Sequence, residues 1–276
     1  FPCFEIYLSC SPSTSTDDYL AALGRSAFRG MKNLTNSTQT RPVPSNPVVL
    51  IPTRMASTRL PGKPLAEIAG VPMIVQCLRR AEEADVGPVV IACAESEIAD
   101  AVTAAGGRAV LTDPDLPSGS DRIFAALEGF DPAGEHDAIV NLQGDLPTLD
   151  PAIVRACVDV LRDPEVDIST AVCAITEESE RDNPNVVKAV LARSGDANTA
   201  RALYFSRATV PTGPGEHFHH IGLYAYRRDA LARFVSMPAS PLETREKLEQ
   251  LRALEAGMRI DAALVDTVPL GVDTPA

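Results

Sequence analysis

The sequence predicts an α/β fold: a mainly parallel sheet with helices on both faces and a smaller mixed-sheet extension. Three observations carry this. Between Val48 and Leu161, short apolar runs alternate with helical-period segments of about ten residues. After Val166, strand-like runs follow one another with only turns between them. The length of 276 residues suffices for one sizeable core, and α/β folds often reach it as a single domain.

The elements follow in order. "VVLI" (48–51) reads as a short buried strand. In "VPMIVQCLRRAEEA" (71–84), Pro72 falls near a first helical turn and Ile74, Leu78 and Ala81 share a face. "PVVIACA" is the next strand; Ser96 is placed to cap "EIADAVTAA", and Gly106 to stop it. "RAVLT", the loop "SGSD" and the helix "RIFAALEGF" come next, then the buried strand "DAIVNLQ" ending at Gly144-Asp145. Asp150 and Pro151 suit the N-cap and first position of the helix "AIVRACVDVL". "VDISTAVCAI", "NVVKAVLA", "RALYFSRATV" and "HHIGLYAYR" read as the strands of the extension. One long helix, "PLETREKLEQLRALEA", follows, with Ser240 and Glu243 spaced as a capping box and Gly257 at its end.

Residues 1–46 stand apart. They are rich in Ser, Thr, Asn and Pro, lack a period after Leu23, and offer no signal-peptide core. They read as a disordered leader or an upstream artefact, with Met31 a candidate start, leaving 47–276 as a single domain. The six cysteines form no CxxC pair and four lie in apolar stretches, which suits free buried thiols in a reducing cytoplasm. With 37 acids against 25 bases the chain is a poor nucleic-acid binder, and its apolar runs fall far short of a membrane span.

Against that acidity, no acid occurs from Tyr19 to Ala66, and "TRMASTRLPGKP" collects Arg54, Arg59 and Lys63 just past the first strand. A locally basic loop in an acidic chain points to a small anion. It is not an ATPase phosphate loop: Ser57 stands where a glycine is needed, and Pro64 follows the lysine. A looser grip remains, with cations supplying charge and loop amides supplying donors; the alternative is a solvated basic turn. Asp145 and Asp273 each end an apolar stretch, a position suited to Mg²⁺ beside phosphate oxygens or to a plain turn. The basic loop, the "SGS" loop and Gly144-Asp145 all fall at strand carboxyl ends, where open α/β sheets bind ligands. "HFHH" (217–220) lacks the partners of a zinc site, and alternating strand side chains cannot all converge. A histidine on a pocket face, contacting an anionic or hydroxylated ligand, suits it better. Ser118 and Asp121 lack the GxSxG context of a hydrolase nucleophile.

Taken together, "IPTRMASTRLPGKPL", "SGSDR", "NLQGDLPTLDP", "NPNVVKAV", "ALYFSRATVP", "HHIGLYAYRR", "SPLETREKLEQLR" and "GVDTP" resemble the 3-deoxy-manno-octulosonate (Kdo) cytidylyltransferase family, colinearly over 48–276. The resemblance implies a nucleotide-diphospho-sugar transferase, Rossmann-like fold and a cytoplasmic homodimer. It implies that CTP and Kdo give CMP-Kdo and pyrophosphate with Mg²⁺, for lipopolysaccharide assembly. By the same resemblance Arg54 and Lys63 hold the triphosphate, assisted by Arg59, and Asp145 and Asp273 hold Mg²⁺. Ser118, Gly119 and Ser120 touch the cytidine, and Gln143 lies between nucleotide and sugar. Arg207 and His220 face the Kdo carboxylate, with Tyr224 beside them and Glu243 at the hydroxyls.

Some positions depart from the family pattern. Thr53 and Leu146 replace a usual Ala and a frequent Glu, and "ACAES" leaves no acid immediately after its strand. Family members usually continue past the position of Ala276 into a final helix. Two sibling activities stay open, on an 8-amino-Kdo or on another nonulosonic acid. A sugar-1-phosphate nucleotidylyltransferase would need a Gly-Gly turn that "TRMASTRL" lacks, and an inert nucleotide-binding subunit need not keep Lys63, Asp145 and Asp273.

Overall fold

In the computed structural model, the residues described are 41–56, 61–193, 195 and 197–271. Arg59 and Asp273, and the leader up to residue 40, lie outside them.

The first half builds as its alternation predicts. Strand β1 (Pro47–Thr53) runs into a 3₁₀ turn at Lys63–Leu65 and a small hairpin of β2 (Glu67–Ile68) and β3 (Val71–Pro72). Helix α1 (Met73–Glu82), β4 (Val89–Cys93), α2 (Ser96–Ala104), β5 (Arg108–Leu111), α3 (Gly119–Phe130), β6 (Ala138–Asn141) and α4 (Pro151–Val160) follow. The side-chain alternation of β1 feeds two cores. Val49 and Ile51 cluster with Ile74 and Leu78 of α1, Ile98 of α2 and Ile153 of α4. Val48 and Leu50 cluster with Ile123 and Leu127 of α3 on the opposite face. Full burial of each such side chain stabilises by about 1.5–3 kcal/mol.

The chain continues as β7 (Ile168–Ala174), the one-turn α5 (Glu178–Arg181), β8 (Lys188–Ala192), β9 (Thr199–Ser206) and β10 (Phe218–Arg227). It ends in α6 (Arg228–Ser236), α7 (Pro241–Glu246), α8 (Leu251–Glu255) and β11 (Ile260–Val265). Among the described residues the large sheet has the order β5-β4-β1-β6-β10-β7-β11-β9-β8. Its β5-β4-β1-β6 part is parallel. Beyond β6 only β11 pairs with β7 in parallel, and the other pairings are antiparallel. The expected mainly parallel sheet is therefore corrected: the second half is as large as the first and continuous with it.

Local expectations fared unevenly. Asp150 caps α4 by accepting from Ala152 N, with Pro151 at the first position, and Ser240 with Glu243 forms the capping box. Ser96 does not cap α2; Glu95 holds the N-cap position, with no side-chain cap bond. The single long helix after Ser240 is two short ones, because Lys247 turns left-handed (φ 56°) and redirects the chain so that Leu248 and Gln250 are buried. Helix α6 and strand β11 were not foreseen; residues 228–236 and 260–265 carried no assignment from the sequence.

Residues 41–46, assigned from the sequence to the leader, are held on the body instead. Arg41 pairs with Asp167 at 2.7 Å, and Ser45 N and Asn46 N both donate to the Asp137 carboxylate. Cys77, Cys93, Cys157 and Cys173 are buried free thiols, as expected.

Candidate functional site

The crevice opens where β1 and β6 end and α3 begins. Its first lobe, about 190 Å³, is lined by Pro52, Thr53, Arg54, Leu116, Ser118, Gly119, Arg122 and Gln143. The second lobe, about 130 Å³, shares Pro52, Thr53, Arg54 and Gln143 and adds Lys63, Gly144 and Asp145. The loops meet closely at two glycines. A Cβ on Gly144 would stand 3.2 Å from Pro52 O, and one on Gly119 would stand 3.2 Å from Pro52 Cγ.

Lys63 Nζ lies 2.8 Å from Asp145 Oδ2, joining the basic loop to the end of β6. The Asp145 side chain keeps 37 % of its surface exposed, so a carboxylate edge faces the crevice. Among the described residues no cluster of three or more His, Cys, Asp or Glu forms a ready-made metal cage. The donor chemistry still fits Mg²⁺, which commonly uses one or two carboxylates and completes its shell with phosphate oxygens and water.

Ser118 caps α3 by accepting from Asp121 N. The structure thus brings Arg54, Lys63, Ser118, Gly119, Gln143 and Asp145 to one crevice. Ser120 is a correction: it is buried, and its hydroxyl donates to Glu249 Oε2 at 2.9 Å instead of facing the first lobe.

Arg122, within the "SGSDR" motif, went unassigned from the sequence. Its buried guanidinium donates to Thr112 Oγ1 at 2.6 Å and Asp113 O at 3.0 Å, shaping the segment before α3. Burial, and then the neighbouring Arg54, pulls its pKa below the ordinary value. Glu95 also went unnoticed, because the acid was sought immediately after the strand. From two residues beyond β4 it accepts from Met55 N at 3.0 Å.

The residues expected at the sugar acid divide differently. His220 is buried on β10, with Nε2 3.0 Å from Thr170 Oγ1 and its ring edge-on to Phe205. Burial pushes its pKa down to about 3, so the expected cationic contact to a carboxylate is replaced by a neutral imidazole. Tyr224 lies beside it, ring centroids 5.5 Å apart, with its hydroxyl pKa raised well above the usual value by burial. Arg207 does not line either lobe; Nε donates to Glu246 O and Nη1 to Pro184 O. Glu243 is a second correction. Its carboxylate accepts from Ser240 N and, twice, from the Arg252 guanidinium at 2.6 and 2.8 Å, so it is committed to the start of α7.

The turn between α7 and α8 carries Glu249, which lines a cavity together with Ser118, Glu243 and Arg252, and the buried Gln250. Gln250 Nε2 is a buried polar atom without a hydrogen-bond partner among the described residues; Glu249 Oε1 and Asn141 Oδ1 are buried with no hydrogen bond inside 3.5 Å, Glu249 Oε1 meeting Arg252 Nη2 only at 3.7 Å. Burial raises the Glu249 pKa. Groups left this way in a folded protein call for an explanation, and a polar ligand is one. Glu249 and Gln250 lie inside the quoted "SPLETREKLEQLR", but a continuous helix there hid the turn that carries them.

Residues 48–260 match the cytidylyltransferase family, a span that holds Arg54, Lys63, Ser118, Arg122, Gln143 and Asp145. The chain is 69 % identical over 229 residues to the 3-deoxy-manno-octulosonate cytidylyltransferase of Rhodospirillum rubrum, covering 83 % of this chain and 91 % of that one. It is 65 % identical over 230 residues to that of Paramagnetospirillum magneticum, covering 83 % and 94 %. A solved structure of CMP:2-keto-3-deoxy-manno-octonic acid synthetase complexed with CTP superposes with a TM-score of 0.77 at 38 % identity, covering 84 % of this chain and 94 % of that one. A cytidylyltransferase from Leptospira borgpetersenii, at 18 % identity, TM-score 0.53 and coverage of 83 % and 82 %, shares the fold. With its crevice inside the matched span and relatives of this identity along nearly their whole length, the chain belongs to the 3-deoxy-manno-octulosonate cytidylyltransferase family.

Proposed function

We propose that the chain transfers CMP from CTP to the anomeric hydroxyl of Kdo, releasing pyrophosphate. The observation that carries this is the 69 % identity, over 229 residues, to a curated enzyme of that name. The crevice supplies a chemistry that fits.

Both substrates are anions and must meet. Lys63 and Arg54 offset their repulsion and stabilise the charge that develops on the pyrophosphate leaving group. Ser118 and Gly119 line the lobe that suits the cytidine, and Gln143, shared by both lobes, suits the junction of nucleotide and sugar. Asp145 would hold Mg²⁺; the family resemblance adds Asp273, which lies outside the described residues. When bound, the ion polarises the α-phosphate and lowers the pKa of the attacking hydroxyl. Asn141, Glu249 and Gln250, whose buried polar atoms have hydrogen-bonding capacity left, suit the sugar hydroxyls, with Tyr224 and neutral His220 completing that wall. The hydroxyl oxygen attacks the α-phosphorus in line, its proton passes to bulk water, and the bond from the α-phosphorus to the oxygen bridging it to the β-phosphate breaks, releasing pyrophosphate.

A cytoplasmic homodimer supplying lipopolysaccharide assembly accords with this reading. No helix among the described residues is long and apolar enough to cross a membrane. The test is pyrophosphate release from CTP and Mg²⁺ with a panel of sugar acids. Kdo is expected to give the highest rate; faster turnover of 8-amino-Kdo or another nonulosonic acid would reassign the substrate.

A further inference from the structure

The cations Arg54 and Lys63 are hung on one residue of the turn after β1. Met55 donates its amide to Glu95 Oε2 at 3.0 Å, and its carbonyl accepts from Gly62 N at 3.4 Å. Arg54 immediately precedes Met55 and Lys63 immediately follows Gly62, so these two bonds set where both cations start. The Met55 side chain is half-buried against the core, which fixes the same point from below.

Glu95 is not spent on its own helix. It stands at the N-cap of α2, where a side chain ordinarily accepts from a first-turn amide, and it makes no such bond. Its carboxylate crosses instead to the loop of the neighbouring strand. The paired register of β1 with β4 ends at Thr53 and Cys93, so the Met55 amide lies beyond the ladder and Glu95 supplies the acceptor it needs. A charged acceptor makes the stronger hydrogen bond. The same carboxylate also lies close enough to oppose the fall in the Arg122 pKa.

We propose that Glu95 is a positioning residue for nucleotide binding, holding the Met55 amide so that Arg54 and, through the Gly62–Met55 bond, Lys63 face the triphosphate. The inference rests on the reading of the crevice as a CTP site. Fixing the Met55 amide, and through it the starts of Arg54 and Lys63, before the ligand arrives removes that cost from binding.

The test compares wild type with Glu95→Ala, which removes the acceptor, and Glu95→Gln, which keeps one. CTP affinity is read by calorimetry, so that no sugar is involved, and thermal unfolding is followed alongside. Glu95→Ala should bind CTP on the order of tenfold more weakly, with Glu95→Gln restored to within about threefold of wild type and melting temperatures little changed. An unaltered Kd in Glu95→Ala, a Glu95→Gln as weak as Glu95→Ala, or an affinity loss that tracks a fall in melting temperature would each overturn it. A wild-type chain that fails to bind CTP would sink the nucleotide reading itself, and this inference with it. Wild-type binding with an unaffected Glu95→Ala would sink this inference alone.

Discussion

The two halves of the sheet use polar side chains in opposite ways. In the parallel half, Arg54, Lys63, Gln143 and Asp145 stand at strand ends and turn into an open crevice. In the largely antiparallel half two buried cations turn inward and are satisfied by the chain itself. Lys188 is fully buried and donates to Asn183 O, Val186 O and Arg207 O. The buried Arg227 guanidinium donates to the carbonyls of Pro42, Leu161, Asp163 and Val166. A charged residue at a strand's carboxyl end in a βα unit therefore reads as a site, whereas one inside an antiparallel meander reads as a brace. Arg207, just past β9, was assigned to substrate from the sequence by treating the second kind as the first, whereas Glu243 is held by the cap of its own helix and by Arg252.

That contrast is most exposed to test at Lys188. Lys188→Met keeps the length and removes the ammonium, leaving three carbonyls without their donor. A loss of about 3–5 kcal/mol in urea unfolding is expected, since buried acceptors stripped of a partner lose their full desolvation cost. A loss below about 1 kcal/mol would show that Lys188 is no brace.

His220 makes a gentler test in the same half. Its folded pKa of about 3 lies below the ordinary 6.5, so the unfolded chain binds more protons between those values and stability rises with pH. This contribution is complete above about 6.5 and is lost as pH falls towards 3. Between pH 7 and pH 5 it amounts to about 2 kcal/mol. Chemical unfolding at the two pH values should show that loss in wild type and a clearly smaller one in His220→Gln. Equal slopes would mean that the imidazole is not held neutral.

Smallest of all should be Ser96→Ala. A working N-cap serine is worth about 1 kcal/mol, but Ser96 lies inside α2 and makes no cap bond, so a change of about 0.3 kcal/mol or less is expected. A full 1 kcal/mol loss would restore the capping role read from the sequence.

The legible parts of the chain were those whose cause is local. Alternating periods marked β1, α1, β4 and α4, and the Asp150-Pro151 and Ser240–Glu243 caps are bonds between near neighbours in the chain. The convergence of Arg54, Lys63, Gln143 and Asp145 was legible too, because strand ends in a parallel sheet share one edge. What escaped depends on distant partners. Ser120 turns to Glu249, 129 residues away, and Glu95 reaches back 40 residues to Met55. The left-handed Lys247 that splits the last long helix has no glycine or proline to announce it. Residues 41–46 had no period to reveal that they bind Asp137 and Asp167.

The central claim is that the crevice at the parallel strand ends is where CTP reacts, and Lys63→Ala addresses it most directly. Pyrophosphate release with CTP, Kdo and Mg²⁺ is to be measured after native circular dichroism is confirmed. Removing a cation from the site where leaving-group charge develops is expected to cost roughly 2–4 kcal/mol in the transition state, a rate loss on the order of 30- to 1000-fold. A folded Lys63→Ala enzyme that turns over at close to the wild-type rate would contradict the account and make the basic loop a solvated turn.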